Sequence, residues 1–279
     1  MSHQLGFIGA GNMAEAIVRA TINSQILPAS QIIACDVNQS RRDLFASLGV
    51  SVTQTTGEVV SQAKPYVLLA VKPQQLGDVA AELAKHITAD HVIISIMAGI
   101  TSAKLASAIT SARAAAGLSD DLKVRIIRVM PNTPLMSGLG MAGISLGEHA
   151  KPGDETMAQQ IFGAGDNKAV IIPESQMDAL TAVSGSGPAY VFYLAEAMEK
   201  AANELGLKDH ARQLVAQTIL GSAHLLASSP DTPAELRRKV TSPGGTTEAA
   251  VRHMDGNKTI DVVVNAIKAA QKRSKELGA

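Results

Sequence analysis

Only one cysteine, Cys35, occurs in the 279 residues, which excludes an intramolecular disulfide framework. Neither charge sign is in excess: 25 Lys and Arg face 25 Asp and Glu. The basic residues form no stripe interleaved with aromatics, so a polyanionic partner such as nucleic acid is not expected. No apolar run approaches the ~20 residues that a membrane-spanning helix needs. The N-terminal stretch lacks the charged, apolar and cleavable regions of a signal peptide, and the expectation is a cytoplasmic protein. The seven histidines include no H-x-H or H-x-x-x-H pair, so no metal site is expected.

What is present divides in two, as the length allows. Over roughly the first 172 residues, short apolar runs alternate with helical patterns. Leu5–Gly9, Gln31–Asp36, Tyr66–Val71, His91–Ile96 and Val124–Met130 read as strands, with Met141–Leu146 and Lys168–Pro173 as further edge strands. Alternation of this kind predicts an α/β fold, a doubly wound parallel sheet wrapped by helices. The nearly all-apolar strands fit a sheet covered on both faces. Ser111–Lys123 reads as a helix end followed by an exposed loop.

From residue 173 to 279 the strand signal vanishes. Val191, Leu194, Ala195, Met198 and Leu205 form one helical stripe, ended by Gly206; Asp209 is expected to cap a second helix carrying Ala211, Leu214, Val215 and Thr218. Ile260, Val263, Val264 and Ile267 stripe the last helix. Four helices make a small core for so many apolar positions, which predicts self-association, as a dimer or an assembly of dimers.

The run Gly9-Ala10-Gly11-Asn12-Met13-Ala14 follows the first strand and opens a helix, the setting in which G-x-G-x-x-A binds a dinucleotide. Gly9 permits the tight turn, Gly11 lets backbone approach a pyrophosphate, and Ala14 lets the helix lie close to the sheet, with the anion at the helix N-terminus. Asp36 ends the second strand, where a carboxylate accepts hydrogen bonds from the adenosine ribose and favours NADH; the alternative is a helix cap. Arg41 and Arg42 follow closely and suit a 2′-phosphate, so NAD(H) and NADP(H) both stay open. Ala70-Val71-Lys72-Pro73 ends another strand at the ligand-binding edge. Lys72 there is either a contact to phosphate or carboxylate or a solvated surface lysine. Ser95-Ile96-Met97-Ala98-Gly99 ends the next, with its backbone expected beside the nicotinamide.

Two Gly-rich segments punctuate the helical half: Ser184-Gly185-Ser186-Gly187-Pro188 and Ser242-Pro243-Gly244-Gly245-Thr246-Thr247. Each is expected to bring free backbone N–H groups and hydroxyls to a helix start, suited to a carboxylate or simply to capping.

Phe7–Ala14, Ala70–Gln74, Arg128-Val-Met-Pro-Asn-Thr-Pro134, Ser184–Tyr190 and Ser242–Thr247 together resemble the pyrroline-5-carboxylate reductases, in order along nearly the whole chain. The resemblance implies an N-terminal Rossmann domain, a C-terminal all-helical dimerisation domain, and reduction of 1-pyrroline-5-carboxylate to L-proline by NAD(P)H. It implies cofactor contacts from Ile8, Gly9, Ala10, Gly11, Asn12, Met13, Asp36, Ala70, Val71, Lys72, Pro73, Ala98 and Gly99. Substrate contacts fall to Ser242, Gly244, Gly245, Thr246 and Thr247, with Glu174 also facing the substrate. An Asn that the family often places near position 57 has no counterpart in Gly57. A protonated imine accepts hydride without a strong neighbouring acid, so Thr247 is the expected catalytic group, orienting the ring nitrogen or relaying a proton.

Two other readings compete. A β-hydroxyacid dehydrogenase needs a Lys on the long helix, where this chain has Val191 and Ala195. A non-catalytic dinucleotide-binding module accounts for the first half alone and leaves Ser242–Thr247 unexplained.

Overall fold

The computed structural model describes residues 3–119 and 121–278, so Asp120 in the Ser111–Lys123 stretch lies outside the described residues. The first part of the chain alternates strands and helices: β1 (His3–Ile8), α1 (Asn12–Asn23), β2 (Ile32–Cys35), α2 (Gln39–Ser47), β3 (Ser51–Thr53), α3 (Thr56–Gln62) and β4 (Ala63–Leu69). It continues with α4 (Leu76–His86), β5 (Val92–Ser95), α5 (Ser102–Ala115), β6 (Arg125–Pro131), β7 (Met141–Leu146), α6 (Thr156–Phe162) and β8 (Lys168–Ile171). All eight strands join one sheet in the order β3-β2-β1-β4-β5-β6-β7-β8.

The first six strands are parallel and β7 runs antiparallel to β6. Met141–Leu146, expected at an edge, therefore lies inside the sheet, and β8 closes it by pairing parallel to β7. β3 had no readable signal because it is three residues long and only intermediately buried at its ends. Side chains alternate across each strand. Leu5, Phe7, Leu68, Ile94 and Ile127 meet α1 and α6 on one face. Ile8, Val67, Leu69, Ile93 and Ile126 meet α3, α4 and α5 on the other.

Beyond the sheet, α7 (Met177–Leu180) leads through one π-helical turn, Thr181–Gly185, into α8 (Gly187–Glu204). The Ser184–Pro188 segment, expected to free its N–H groups at a helix start, is thus itself helical, and the Ser186 N–H donates to Thr181 O at 2.8 Å. Next come α9 (Ala211–Ser228), α10 (Pro233–Lys239), α11 (Thr246–Gly256) and α12 (Thr259–Gly278). Gly206 does follow the end of α8 in a left-handed conformation, φ +87°. Asp209 does not cap α9, because His210 holds the N-cap position and no side chain caps it.

The chain forms two compact units, one of residues 1–186 with 270–279 and the other of residues 187–269. Residues 174–186 belong with the sheet for a packing reason. Met177 and Ala182 are buried, and Leu180 approaches so close to Gly143 of β7 that a Cβ there would lie 2.5 Å from it.

Candidate active site

Strand order reverses between β1 and β4, and a crevice opens at their carboxyl ends, where open α/β sheets bind ligands. Gly9 sits at its floor with φ +95°, and its N–H donates to Cys35 O at 2.9 Å. A Cβ on Gly9 would stand 2.8 Å from Ala70 O, so both the conformation and the closeness of β4 require glycine. Gly11, the N-cap of α1, is the opposite case, with nothing within 4 Å of a Cβ. It leaves the first-turn N–H groups of α1 approachable by an anion.

The cavity above these residues measures about 790 Å³. It brings together Ile8, Gly9, Gly11, Asp36, Ala70, Val71 and Lys72 from the sequence expectations. Ala10, Asn12, Met13, Pro73, Ala98 and Gly99 do not line it. Asn12 instead opens onto a second cavity of about 770 Å³ with Leu135–Leu139 and Ala164–Asn167. Pro73 starts a 3₁₀ turn after β4. Gly99, with φ +78°, lies under the last turn of α12.

Asp36 has ordered roles already. Its Oδ2 accepts from Ala10 N–H at 2.7 Å and its Oδ1 from Asn38 N–H at 2.9 Å, tying the loop after β2 to the glycine turn. Helix α2 is capped by Asn38, so the alternative of Asp36 as its cap does not hold. The two arginines diverge. Arg41 lines the cavity, donating to Ala10 O and to Glu15. Arg42 is buried, turned to Asp36 O and Gln39. Burial alone would raise the Glu15 carboxyl, but hydrogen bonds from Arg19 and Arg41 outweigh it and hold it below its ordinary value. Burial pushes the Cys35 thiol up to about 11, which keeps it neutral beside the cavity.

Several lining residues carried no sequence signal of their own: Val37, Asn38, Gln54, Thr56 and Gln75. Gly57 is buried, and a Cβ there would lie 2.5 Å from His86 Nε2, so the imidazole fills the space a side chain would need. The polar residues that line the cavity in this region are Gln54 and Thr56.

Glu174 is engaged in a network rather than open to a ligand. Its Oε1 accepts from Ser102 N–H at 2.7 Å and from Arg128 at 3.2 Å, and its Oε2 accepts from the Ser102 hydroxyl. Arg128 is 3% exposed and also lies 3.9 Å from Asp178. Asn132 joins β6 to its surroundings, accepting from Met141 N–H at 2.9 Å and donating to Ser184 at 3.3 Å.

In the second unit, Ser242–Gly245 forms the turn before α11. Gly244 N–H donates to Glu248 at 2.8 Å and Gly245 N–H to Ser242 O at 3.0 Å. No side chain caps α11, so Thr246 and Thr247 in its first turn present N–H groups and hydroxyls together. Ser242, Gly244 and Thr246 are exposed and Gly245 and Thr247 half-buried. Among the described residues, no three His, Cys, Asp or Glu side chains are placed to hold a metal ion, and no helix is long and apolar enough to cross a membrane.

A glycine-floored crevice at the switch point of a doubly wound sheet, followed by a helical unit with an uncapped polar helix start, defines a Rossmann-type oxidoreductase with a helical second part. Residues 4–99 match the family described as NADP oxidoreductase coenzyme F420-dependent, and residues 174–277 match Pyrroline-5-carboxylate reductase dimerisation. The chain is 39% identical over 99% of its length to the pyrroline-5-carboxylate reductase of Haemophilus influenzae, of which 98% is covered. It superposes with a TM-score of 0.86 on the pyrroline-5-carboxylate reductase structure from Coxiella burnetii, at 32% identity over 100% of both chains. The Plasmodium falciparum pyrroline carboxylate reductase, solved with NADP bound, matches with a TM-score of 0.86 at 27% identity over 99% of this chain and 98% of that one. The chain belongs to the pyrroline-5-carboxylate reductase family and is an NAD(P)H-dependent enzyme.

Proposed function

We propose that the chain reduces 1-pyrroline-5-carboxylate to L-proline, the last step of proline biosynthesis, as a self-associating cytoplasmic enzyme. The observation that carries this reading is the pairing, in one chain, of the glycine-floored crevice with the uncapped Ser242–Thr247 helix start. The crevice suits a nicotinamide dinucleotide: open space over Gly11 admits a pyrophosphate, and Asp36 and Arg41 stand beside the expected adenosine end. When bound, that cofactor supplies the hydride.

The hydride adds to the ring carbon of the C=N bond, and the π electron pair withdraws onto nitrogen, which is protonated beforehand. No alkoxide forms, so the chain's task is orientation more than acid catalysis. Ser242 and Thr246 hold the substrate carboxylate with hydroxyl and N–H groups at the positive end of α11, and Gly244 and Gly245, whose own N–H groups are engaged by Glu248 and Ser242, shape the turn that lets it approach. Thr247 hydrogen-bonds the ring nitrogen. Ala98 and Gly99 back the nicotinamide. Glu174 acts through Ser102 and Arg128, because both its oxygens are engaged and a further carboxylate beside the substrate's would repel it.

Self-association through the helical unit is supported by its apolar exposure, with Phe192 62%, Tyr193 76% and Ile260 59% exposed. The test is loss of NADPH or NADH absorbance, in separate reactions, on addition of 1-pyrroline-5-carboxylate. Rapid loss with either is expected. No turnover by protein that binds the dinucleotide overturns the assignment, and the ratio of the two efficiencies reports whether Asp36 or Arg41 governs the adenosine end.

A further inference from the structure

Helix α12 ends in an unusual seat. A Cβ on Gly99 would lie 2.8 Å from Leu277 Cβ, and a Cβ on Gly278 would lie 2.6 Å from Gly99 O and 3.8 Å from Thr101 Cγ2. The last turn of α12 therefore rests directly, with almost no side chain between, on the backbone that follows β5. Upstream in the same turn, Ser274 is 5% exposed and its hydroxyl donates to Asp178 Oδ1 at 2.7 Å.

Asp178 leads back to the same backbone by a second route. It lies 3.9 Å from Arg128, whose guanidinium donates to Glu174, and Glu174 holds both the N–H and the hydroxyl of Ser102. Arg128 is also paired in register with Ser95, the last residue of β5. The segment from Ser95 to Ser102 is thus gripped at three points: by the β6 pairing at its start, by Leu277 and Gly278 at Gly99, and by Glu174 at Ser102. A buried arginine shared by two carboxylates makes the grip stiff, since loosening one partner leaves charge unpaired in the interior.

We propose that the last turn of α12, Ser274–Gly278, is a positioning element for the Ala98–Ser102 turn and sets the rate of hydride transfer rather than the affinity for dinucleotide. This rests on the reading that Ala98 and Gly99 back the nicotinamide. The adenosine and pyrophosphate contacts come from the Gly9–Met13 turn and Asp36, which α12 does not touch through these bonds. A shift of the nicotinamide support alone misaligns donor and acceptor while most of the binding contacts persist.

Two variants test it, Ser274→Ala and Gly278→Ala, the second adding one methyl group against the Gly99 carbonyl near the end of the helix, where unfolding is not at stake. Each should lower kcat by roughly three- to tenfold and leave the dinucleotide KM within about twofold. The primary isotope effect with 4-deuterated reduced dinucleotide should rise in both, which a smaller folded fraction would not produce. Wild-type kcat and isotope effect in both variants, or a rise in KM with an unchanged isotope effect, overturns the proposal. Amide hydrogen exchange separates it from the functional reading. Gly278→Ala should speed exchange at residues 99–102 and leave residues 9–13 unchanged whatever the substrate, and unaltered exchange at 99–102 overturns the proposal as well.

Discussion

The sheet unit and the helical unit are built from similar proportions of apolar residues but finish differently. Around the sheet, Phe7, Ile17, Leu68, Leu83, Ile94 and Phe162 are fully enclosed. Between residues 187 and 269 only Ala211 and Val215 are buried, while Leu194, Leu220, Leu226, Val263 and many more stay open. A parallel sheet covers itself because every crossover returns a helix to one of its faces. Helices with apolar residues on more than one side and few neighbours have nothing comparable, and another copy of the chain must complete them. One region is a finished core and the other is half of an interface.

Four experiments break or sharpen that contrast. The largest effect is expected from Ile94→Ala in the centre of the sheet, which should cost about 2–5 kcal/mol in denaturant unfolding at every protein concentration. Thr247→Ala should lower kcat/KM by roughly ten- to a thousandfold, about 1.4–4 kcal/mol, with dinucleotide affinity measured by fluorescence titration unchanged. Unchanged kinetics would remove Thr247 from the site. Val263→Glu should weaken self-association by about tenfold or more in sedimentation velocity, since it places a charge in an apolar contact, while the near-native unfolding of the sheet unit persists. A variant that associates like the parent would show that α12 faces solvent in the assembly.

The smallest effect concerns pH. His91 is 2% exposed; its Nδ1 accepts from Thr88 N–H at 3.0 Å and its Nε2 donates to Val60 O at 3.0 Å. Burial lowers its pKa below the ordinary histidine value. The unfolded chain therefore binds the extra proton first, so stability is full above the ordinary value and declines as pH falls through it toward the folded one. The urea midpoint should drop on acidification from neutral, and His91→Gln should flatten that slope. An equally steep slope in the variant would assign the acid sensitivity to other groups.

Much of this was legible locally. The glycine fingerprint is a contiguous run between a strand and a helix, and five of the strands are apolar runs bounded by polar turns, so neighbouring residues carry the signal. What escaped depends on residues far apart in sequence. That Met141–Leu146 sits inside the sheet follows from its partners β6 and β8, not from its composition. Glu174 meets Ser102 and Arg128 across long stretches of chain, and nothing near it in sequence announces either. The Ser184–Pro188 segment reads from its glycines as a helix start with free N–H groups, yet it continues a helical run begun upstream, because Ala182 and Met177 bury that run on the sheet. Gly57 reads as a missing contact, whereas its bareness makes room for His86.

The position of β1 has a consequence in time. β1 precedes both of its neighbours in the chain, β2 and β4, and the second of them is complete only once Leu69 has been added. Until then His3–Ile8 has one side of its backbone unpaired, although α1 and α3, which cover its two faces, have already been made. Assembly of the sheet must wait for pairings between distant segments, which slows it and leaves a nascent chain in need of protection from its own kind. Once β2 and β4 are in place, β1 is paired along both edges and can leave the sheet only by breaking both ladders.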